Sequence, residues 1–110
     1  MSALYAMRYL GAVGVGIGAI YIGRGKMVGI DAAYGRYDGS YTEQNGRLRG
    51  TVSLSIPGGG NLVTGQPLPA GQSIQIAFDL PSTFANGQAQ TVSVAGRPVQ
   101  VTFEKIGDIP

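Results

Sequence analysis

The dipeptide Asn45-Gly46, with the alternating segments on either side of it, constrains the fold more than any other part of this sequence. Asn-Gly is the strongest short signal for a two-residue β-hairpin turn. With these two residues at the tip, glycine, tyrosine and aliphatic residues collect on one face of the hairpin and polar residues on the other. The predicted apolar pairs are Tyr41–Gly50, Gly39–Val52, Tyr37–Leu54 and Gly35–Ile56. A one-residue slip would mix the two faces, so the register is strongly specified.

The spacing of tyrosines 34, 37 and 41 by itself also suits one face of a helix. Gly35 and Gly39 argue against a helix, because each costs a helix interior about 1 kcal/mol relative to alanine. The hairpin pairing therefore favours a strand here. Most of the remaining chain has the same pattern of short segments with one apolar face. The predicted strands include Leu4–Leu10, Val15–Ile22, Met27–Ala32, Tyr34–Thr42, Ser73–Leu80, Gln88–Ala95 and Val99–Ile106, with brief pairing of Leu62–Thr64.

The turns between these segments predict their partners. With Ala12 and Val13 at the tip of the first hairpin, Tyr9 lies opposite Gly16. A last hairpin around Gly96-Arg97 places Val94 opposite Val99. About eight such strands close naturally into an up-and-down barrel. We therefore predict an all-β fold, a single small antiparallel up-and-down β-barrel domain over residues 1–110 with a tail at 107–110, and a two-sheet sandwich is the alternative.

The composition excludes several classes of function. The chain has no histidine and no cysteine, so the commonest general base, the commonest metal ligand and any disulfide are missing. We expect no catalytic residues, no metal and no cofactor, and therefore no enzyme. The net charge of +2 is too small and too scattered to predict nucleic-acid binding. The uncharged run from Tyr9 to Gly23 is shorter than the roughly 20 residues that cross a bilayer, so we expect no membrane segment and a cytoplasmic protein.

Three features each allow two roles. Tyr5, Tyr9, Tyr37 and Tyr41 fall on the apolar face, where they either fill a packed core or line a hollow interior with their hydroxyls offered to a ligand. Asp31 stands alone in an apolar segment, and a turn role, in which its carboxylate caps backbone N–H groups near Ala33 and Tyr34, is favoured over a catalytic one. The long tract without charge between Gly50 and Phe78 suits either the cover of a barrel end or a contact with a partner subunit.

The segment Gly29–Tyr41 (GIDAAYGRYDGSY), followed by Gly50-Thr51-Val52, resembles the GrlR family of negative regulators of type III secretion genes and their relatives. Tyr5, Gly14-Val15 and Gly65 also occupy positions where that family would place such residues. Ile30 stands where the family motif has a second glycine. The resemblance extends roughly from Leu4 to Ile106, and its specific part is this central motif.

This resemblance implies a small lipocalin-like barrel that is often dimeric, has an apolar interior and lacks enzymatic activity. In the regulator that names the family, an acidic run on the hairpin after the motif helps to bind a transcriptional activator. The matching segment here, 42–46, carries one acid only, and basic residues follow it. The acidic contact is therefore not carried over. The candidate residues for binding a protein partner are Glu43, Gln44, Asn45, Arg47 and Arg49.

Two functions follow as hypotheses. The first is a non-enzymatic regulatory or adaptor protein that forms a homodimer and binds a protein partner, such as a transcriptional regulator. The second is a carrier or sensor of a small apolar, lipid-like ligand held inside the barrel and lined by Tyr5, Tyr9, Tyr37 and Tyr41.

Overall fold

A computed structural model describes residues 2–110, and these residues contain strands and no helix. Each long strand alternates between side chains that face the barrel interior and side chains that face outward, as the period of a strand requires. The strands are β1 (Ser2–Leu10), β2 (Val15–Gly23), β3 (Lys26–Asp31), β4 (Arg36–Gln44), β5 (Arg47–Ser55), β6 (Gly60–Asn61), β7 (Pro67–Leu68), β8 (Ser73–Pro81), β9 (Gln90–Val94) and β10 (Arg97–Asp108).

Eight of these strands form one antiparallel sheet in the order β8-β5-β4-β3-β2-β1-β10-β9. The sheet curls until its two edge strands, β8 and β9, approach each other, so the barrel is nearly closed. The two remaining strands, β6 and β7, pair only with each other, within the connection between β5 and β8. The predicted all-β, up-and-down barrel of eight strands is confirmed.

Three tight turns set the register of the sheet. In each of them, two adjacent residues have positive φ, which is the geometry of a two-residue hairpin loop whose twist matches that of the strands. The turns are Arg24-Gly25, Asn45-Gly46 and Ala95-Gly96. The structure confirms the predicted pairing of β4 with β5 from Arg36–Ser55 to Thr42–Arg49, as well as the pairing of Tyr9 with Gly16.

The predicted register of the last hairpin was wrong. The turn is Ala95-Gly96 rather than Gly96-Arg97, so Val94 pairs with Arg97 and Val92 pairs with Val99. The difference amounts to a shift of two residues between the strands. Because a strand has period 2, a shift of two keeps the same side chains on the interior face, and the predicted faces survive the error.

Several strand boundaries also differ from the prediction, and three of the differences have a clear structural reason. β4 begins at Arg36, because Tyr34 has φ of 66° and belongs to the turn after β3. β10 continues to Asp108, and the Ile109 N–H donates to the Ser2 carbonyl at 2.8 Å, so the predicted tail at 107–110 is largely part of the sheet. Residues 62–64 form a turn, and the short pairing in this region is between β6 and β7.

The two ends of the barrel differ. At the lower end, which carries the turns Arg24-Gly25 and Asn45-Gly46, Phe84 is almost fully buried between two other aromatic rings. The Phe84 ring centroid lies 5.0 Å from that of Tyr5 and 5.2 Å from that of Phe103. At the upper end, where β1 and β3 finish, the β5–β8 connection folds inward and buries Leu62 and Leu68. The candidate site lies between these two ends.

Candidate functional site: an apolar cavity with one polar anchor

A cavity of about 1120 Å³ extends from the barrel interior to the partly open upper end. Its wall is mostly aliphatic and comes from the interior faces of strands around the barrel, including Met7, Ile20, Val52, Ile76, Val101 and Phe103. Pockets that take small organic molecules usually have volumes of roughly 300 to 1,000 Å³ and combine an apolar wall with few polar groups. The cavity therefore has the size and the wall chemistry of a site for a small apolar molecule.

Asp31 is the centre of the one polar cluster in the cavity wall near the upper end. Its Oδ2 accepts hydrogen bonds from the hydroxyls of Tyr9 and Tyr37, each at 2.7 Å. Its Oδ1 accepts from the backbone N–H groups of Ala33 at 3.0 Å and Gly35 at 2.8 Å. Four donors thus converge on one carboxylate, which joins β1, β4 and the β3–β4 turn.

Glycines make room for this cluster. Tyr9 pairs with Gly16 on β2, and its ring lies so close over the Gly16 backbone that a Cβ there would overlap the ring. The Asp31 carboxylate folds over Gly35 in the same way, and a Cβ on Gly35 would overlap it. The glycine-rich strands therefore allow the tyrosine hydroxyls to reach the carboxylate.

The cluster keeps its tyrosines protonated. Burial raises the pKa of Tyr9 and of Tyr37 well above the ordinary value, and the hydrogen bond to Asp31 adds to this effect for both residues. Both side chains therefore remain neutral phenols, and donors to Asp31, throughout the physiological pH range. They are poorly suited to act as general bases near neutral pH, since a base should have a pKa close to the working pH.

The uncharged connection between β5 and β8 covers part of the upper end. Asn61, Leu62 and Val63 line the cavity from this side. The β1–β2 turn holds the connection in place, because the Val13 N–H donates to the Val63 carbonyl at 3.0 Å. The two segments touch closely at Gly11, where a Cβ would lie 2.5 Å from the Val63 carbonyl oxygen. Of the two roles offered for the neutral tract, the cover of a barrel end agrees with these contacts.

The four tyrosines that the sequence offered as ligand-binding residues separate into two pairs. Tyr9 and Tyr37 line the cavity and meet at Asp31. Tyr5 and Tyr41 are not among the lining residues: Tyr5 is buried against Phe84 at the lower end, and Tyr41 is partly buried beside the hydrophobic core, with its N–H donating to the Gly25 carbonyl at 3.0 Å. The polar anchor therefore involves two of the four candidates.

The candidate partner-binding residues lie on the β4–β5 hairpin at the lower end. Glu43, Gln44 and Asn45 are exposed. Arg47 and Arg49 are both engaged by Asp79 of β8, with Nε–Oδ distances of 2.9 and 3.1 Å. The Arg47 hydrogen bond is the main reason that the pKa of Asp79 is lowered, and Arg49 contributes as well. The structure thus keeps this hairpin apart from the cavity and neutralises part of its positive charge.

The sequence predicted the turn role of Asp31 but not its bonds to the tyrosines. The predicted cap on Ala33 is confirmed, and the Tyr34 N–H donates instead to the Asp31 carbonyl, at 3.1 Å. The sequence signal that could have revealed the bonds between Asp31 and the tyrosines was the Arg24-Gly25 turn. That turn places Gly18 opposite Asp31, and β3–β4 pairing places Gly29 opposite Tyr37, so the carboxylate and both tyrosines share the interior face.

Comparison with known proteins adds no family: no protein-family model matches the sequence, and no curated protein matches it significantly. Residues 2–110 hold no apolar helix of the length that a bilayer requires.

Proposed function

We propose that this protein binds a small apolar ligand inside its barrel and serves as a carrier or sensor without changing the ligand chemically. The observation that supports this most directly is the cavity of about 1120 Å³ with its aliphatic wall. A packed core normally leaves few voids larger than a water molecule. An apolar cavity of this size, open toward the upper end of the barrel, suits a small apolar occupant.

The proposal of binding without catalysis rests on the state of the polar groups. Asp31 already accepts four hydrogen bonds, and Tyr9 and Tyr37 are held as neutral phenols. The two phenols are therefore poorly suited to exchange a proton near neutral pH. We place the protein in the cytoplasm, for which the complete lack of cysteine gives compositional support.

The test is to purify the protein, denature it and analyse the released small molecules by mass spectrometry. A neutral, environment-sensitive fluorescent probe, N-phenyl-1-naphthylamine, gives a second measurement on the stripped protein. We expect a released lipid-like compound, or saturable binding of one probe per barrel. Ile76→Trp, which places a bulky ring in the cavity, should weaken probe binding, whereas Gln75→Trp on the outward face of the same strand should not. A protein that releases nothing and does not bind the probe contradicts the proposal.

A second proposal is protein binding, and specifically weak association with a second copy of the same chain. The outward faces of β2 and β3 carry an uncharged strip, formed by Val15, Ile17, Ala19, Tyr21, Val28 and Ile30, in which four of the six side chains are exposed. An uncharged strip can face its own copy across a two-fold axis without repulsion between like charges. A regulatory or adaptor role toward a transcriptional regulator, as the family resemblance implies, belongs to this second proposal.

A further inference from the structure

The hydrogen-bonding capacity of the polar anchor identifies the kind of ligand that the cavity prefers. An ionised carboxylate offers about four lone-pair positions to donors. The Asp31 carboxylate accepts two backbone N–H groups on Oδ1 and two phenol hydroxyls on Oδ2. Its acceptor capacity is therefore taken up within the protein.

The hydroxyls of Tyr9 and Tyr37 both act as hydrogen-bond donors within the protein. Each phenol has one hydrogen to donate, and both hydrogens point to Asp31. What Tyr9 and Tyr37 still offer is acceptor capacity on their oxygen atoms. A ligand that approaches the anchor therefore meets acceptors and no free hydroxyl donor.

The charges around the cavity also favour a hydrogen-bond donor over an anion as the head group. Among residues 2–110, the cavity lining includes one acidic residue, Asp31, and one basic residue, Arg8. Arg8 is exposed and lies on the outward face of β1, opposite to the interior face that carries Met7 and Tyr9. An anionic head group at the anchor would therefore find the Asp31 charge nearby and no interior cation to balance it.

We propose that the ligand is an amphiphile whose apolar body fills the cavity and whose head group is a hydrogen-bond donor, a hydroxyl or an amine, placed against the oxygens of Tyr9 and Tyr37. Carboxylate-headed amphiphiles such as fatty acids are disfavoured. This inference rests on the proposed ligand-binding function and adds the class of head group to it.

The experiment is a competition series at constant chain length. Dodecanol, dodecylamine and dodecanoate each displace N-phenyl-1-naphthylamine from the stripped protein at pH 8, below the concentration at which they form micelles. Because an unpaired buried polar group is costly, the alcohol or the amine should bind at least about fivefold more tightly than the carboxylate. Whether dodecanol or dodecylamine binds more tightly distinguishes a neutral head group from a cationic one.

The outcomes separate the two claims. If dodecanoate binds as tightly as the alcohol and the amine, or more tightly, the donor-head inference is wrong while the carrier proposal stands. If neither the probe nor any of the three compounds binds, the carrier proposal fails and the inference fails with it.

Asp31→Asn gives a directional check on the same series. The amide oxygen is needed by the N–H groups of Ala33 and Gly35, so the amide NH₂ faces the tyrosines. The two tyrosine oxygens then accept, and their hydroxyl hydrogens become free to donate into the cavity. We expect the preference for alcohol over carboxylate to fall by at least about fivefold or to reverse.

Asp38→Asn is the matched control, since it makes the same chemical change at an exposed position on the outward face of β4 and should leave the preference unchanged. An unchanged preference in a folded Asp31→Asn protein contradicts the inference. If that variant does not fold, the wild-type series still decides the question.

Discussion

The ring of Tyr9 lies directly over the backbone of Gly16, its paired residue on the neighbouring strand. This relationship positions the Tyr9 hydroxyl 2.7 Å from Asp31 Oδ2. A residue with a side chain at position 16 would occupy the place of the ring. The glycine is therefore as much a part of the polar anchor as the tyrosine that it accommodates.

Gly16→Ala should displace the Tyr9 ring without unfolding the barrel. The ring is the end of a flexible side chain, so it can move away from the new methyl group, but its hydrogen bond to Asp31 is then lost. We expect a loss of about 1–2 kcal/mol in the free energy of unfolding, measured by urea denaturation. We also expect weaker binding of donor-headed amphiphiles.

Gly14→Ala is the control, because nothing lies within 4 Å of a Cβ at Gly14. Equal effects of the two substitutions would contradict the assigned role of Gly16.

Asp31→Ala should destabilise the protein more than any single tyrosine substitution in the cluster. It removes the acceptor for four donors from three parts of the chain, and partly buried donors that lose their partner are costly. We expect a loss of about 2–4 kcal/mol in the free energy of unfolding. Asp38→Ala, at an exposed position, should change it by less than about 0.5 kcal/mol. A loss below 1 kcal/mol for Asp31→Ala would mean that the carboxylate does not hold these elements together.

The sequence predicted the barrel because its signals are local. Two-residue turns and strict alternation determine which side chain faces inward, and both can be read along the chain. The pairing around Asn45-Gly46 is correct for this reason. The error in the last hairpin has a local cause as well: Ala95 adopts a φ of 51°, which alanine rarely does, so the turn includes a residue that composition would not select.

The cavity and its anchor could not be predicted in the same way. A packed interior and a hollow one require the same apolar alternation, and the difference depends on how far opposite walls stand apart. The meeting of Tyr9, Asp31 and Tyr37 depends on three successive registers, β1–β2, β2–β3 and β3–β4, and the sequence predicted only the first of them. Tyr5 and Tyr41 have the same inward pattern as Tyr9 and Tyr37, so periodicity alone could not separate the two pairs.

The protein should lose stability as the pH rises above about 10. Burial raises the pKa of Tyr9 and Tyr37 above the value of about 10 in an unfolded chain. The contribution of these residues is therefore fully present below pH 10 and is lost as the pH rises toward their folded values. Each of the two should reduce the free energy of unfolding by up to about 1.4 kcal/mol per pH unit in that range.

Urea denaturation at a series of pH values from 8 to 11.5 measures this dependence, and tyrosinate absorbance shows when the phenols ionise. Lys105, whose pKa is raised mainly by its hydrogen bond to Asp108, contributes with the same sign but is exposed and contributes little. Burial also raises the pKa of Tyr5 and of Tyr41, which contribute with the same sign. Substitution of both Tyr9 and Tyr37 by phenylalanine isolates the effect of the anchor and should make the slope smaller. The same slope in wild type and in this double variant would overturn the explanation.

Gly11→Ala should loosen the cover over the upper end of the barrel. A Cβ at Gly11 would lie 2.5 Å from the Val63 carbonyl oxygen, and the clash is with backbone, so the β5–β8 connection has to move away from the β1–β2 turn. We expect faster release of a bound probe, measured by stopped-flow fluorescence, because the cover closes less tightly. Gly58→Ala, in the same connection but with nothing within 4 Å of its Cβ, should leave the release rate unchanged. Slower or unaltered release in Gly11→Ala would show that this segment does not control access.

The uncharged strip on β2 and β3 should support only a weak homodimer. Two strands about 5 Å apart with up to nine residues each, at about 3.3 Å per residue, present a face of roughly 300 Å². Stable interfaces bury about 800 Å² on each partner, so we expect a dissociation constant of about 100 μM or weaker. Sedimentation equilibrium at several protein concentrations measures this dissociation constant.

Ile17→Lys, at a side chain that is 54% exposed in the strip, should abolish association. Thr51→Lys, exposed on the outward face of β5, should not. A dimer that survives Ile17→Lys, or dissociates with Thr51→Lys, places the interface elsewhere on the barrel.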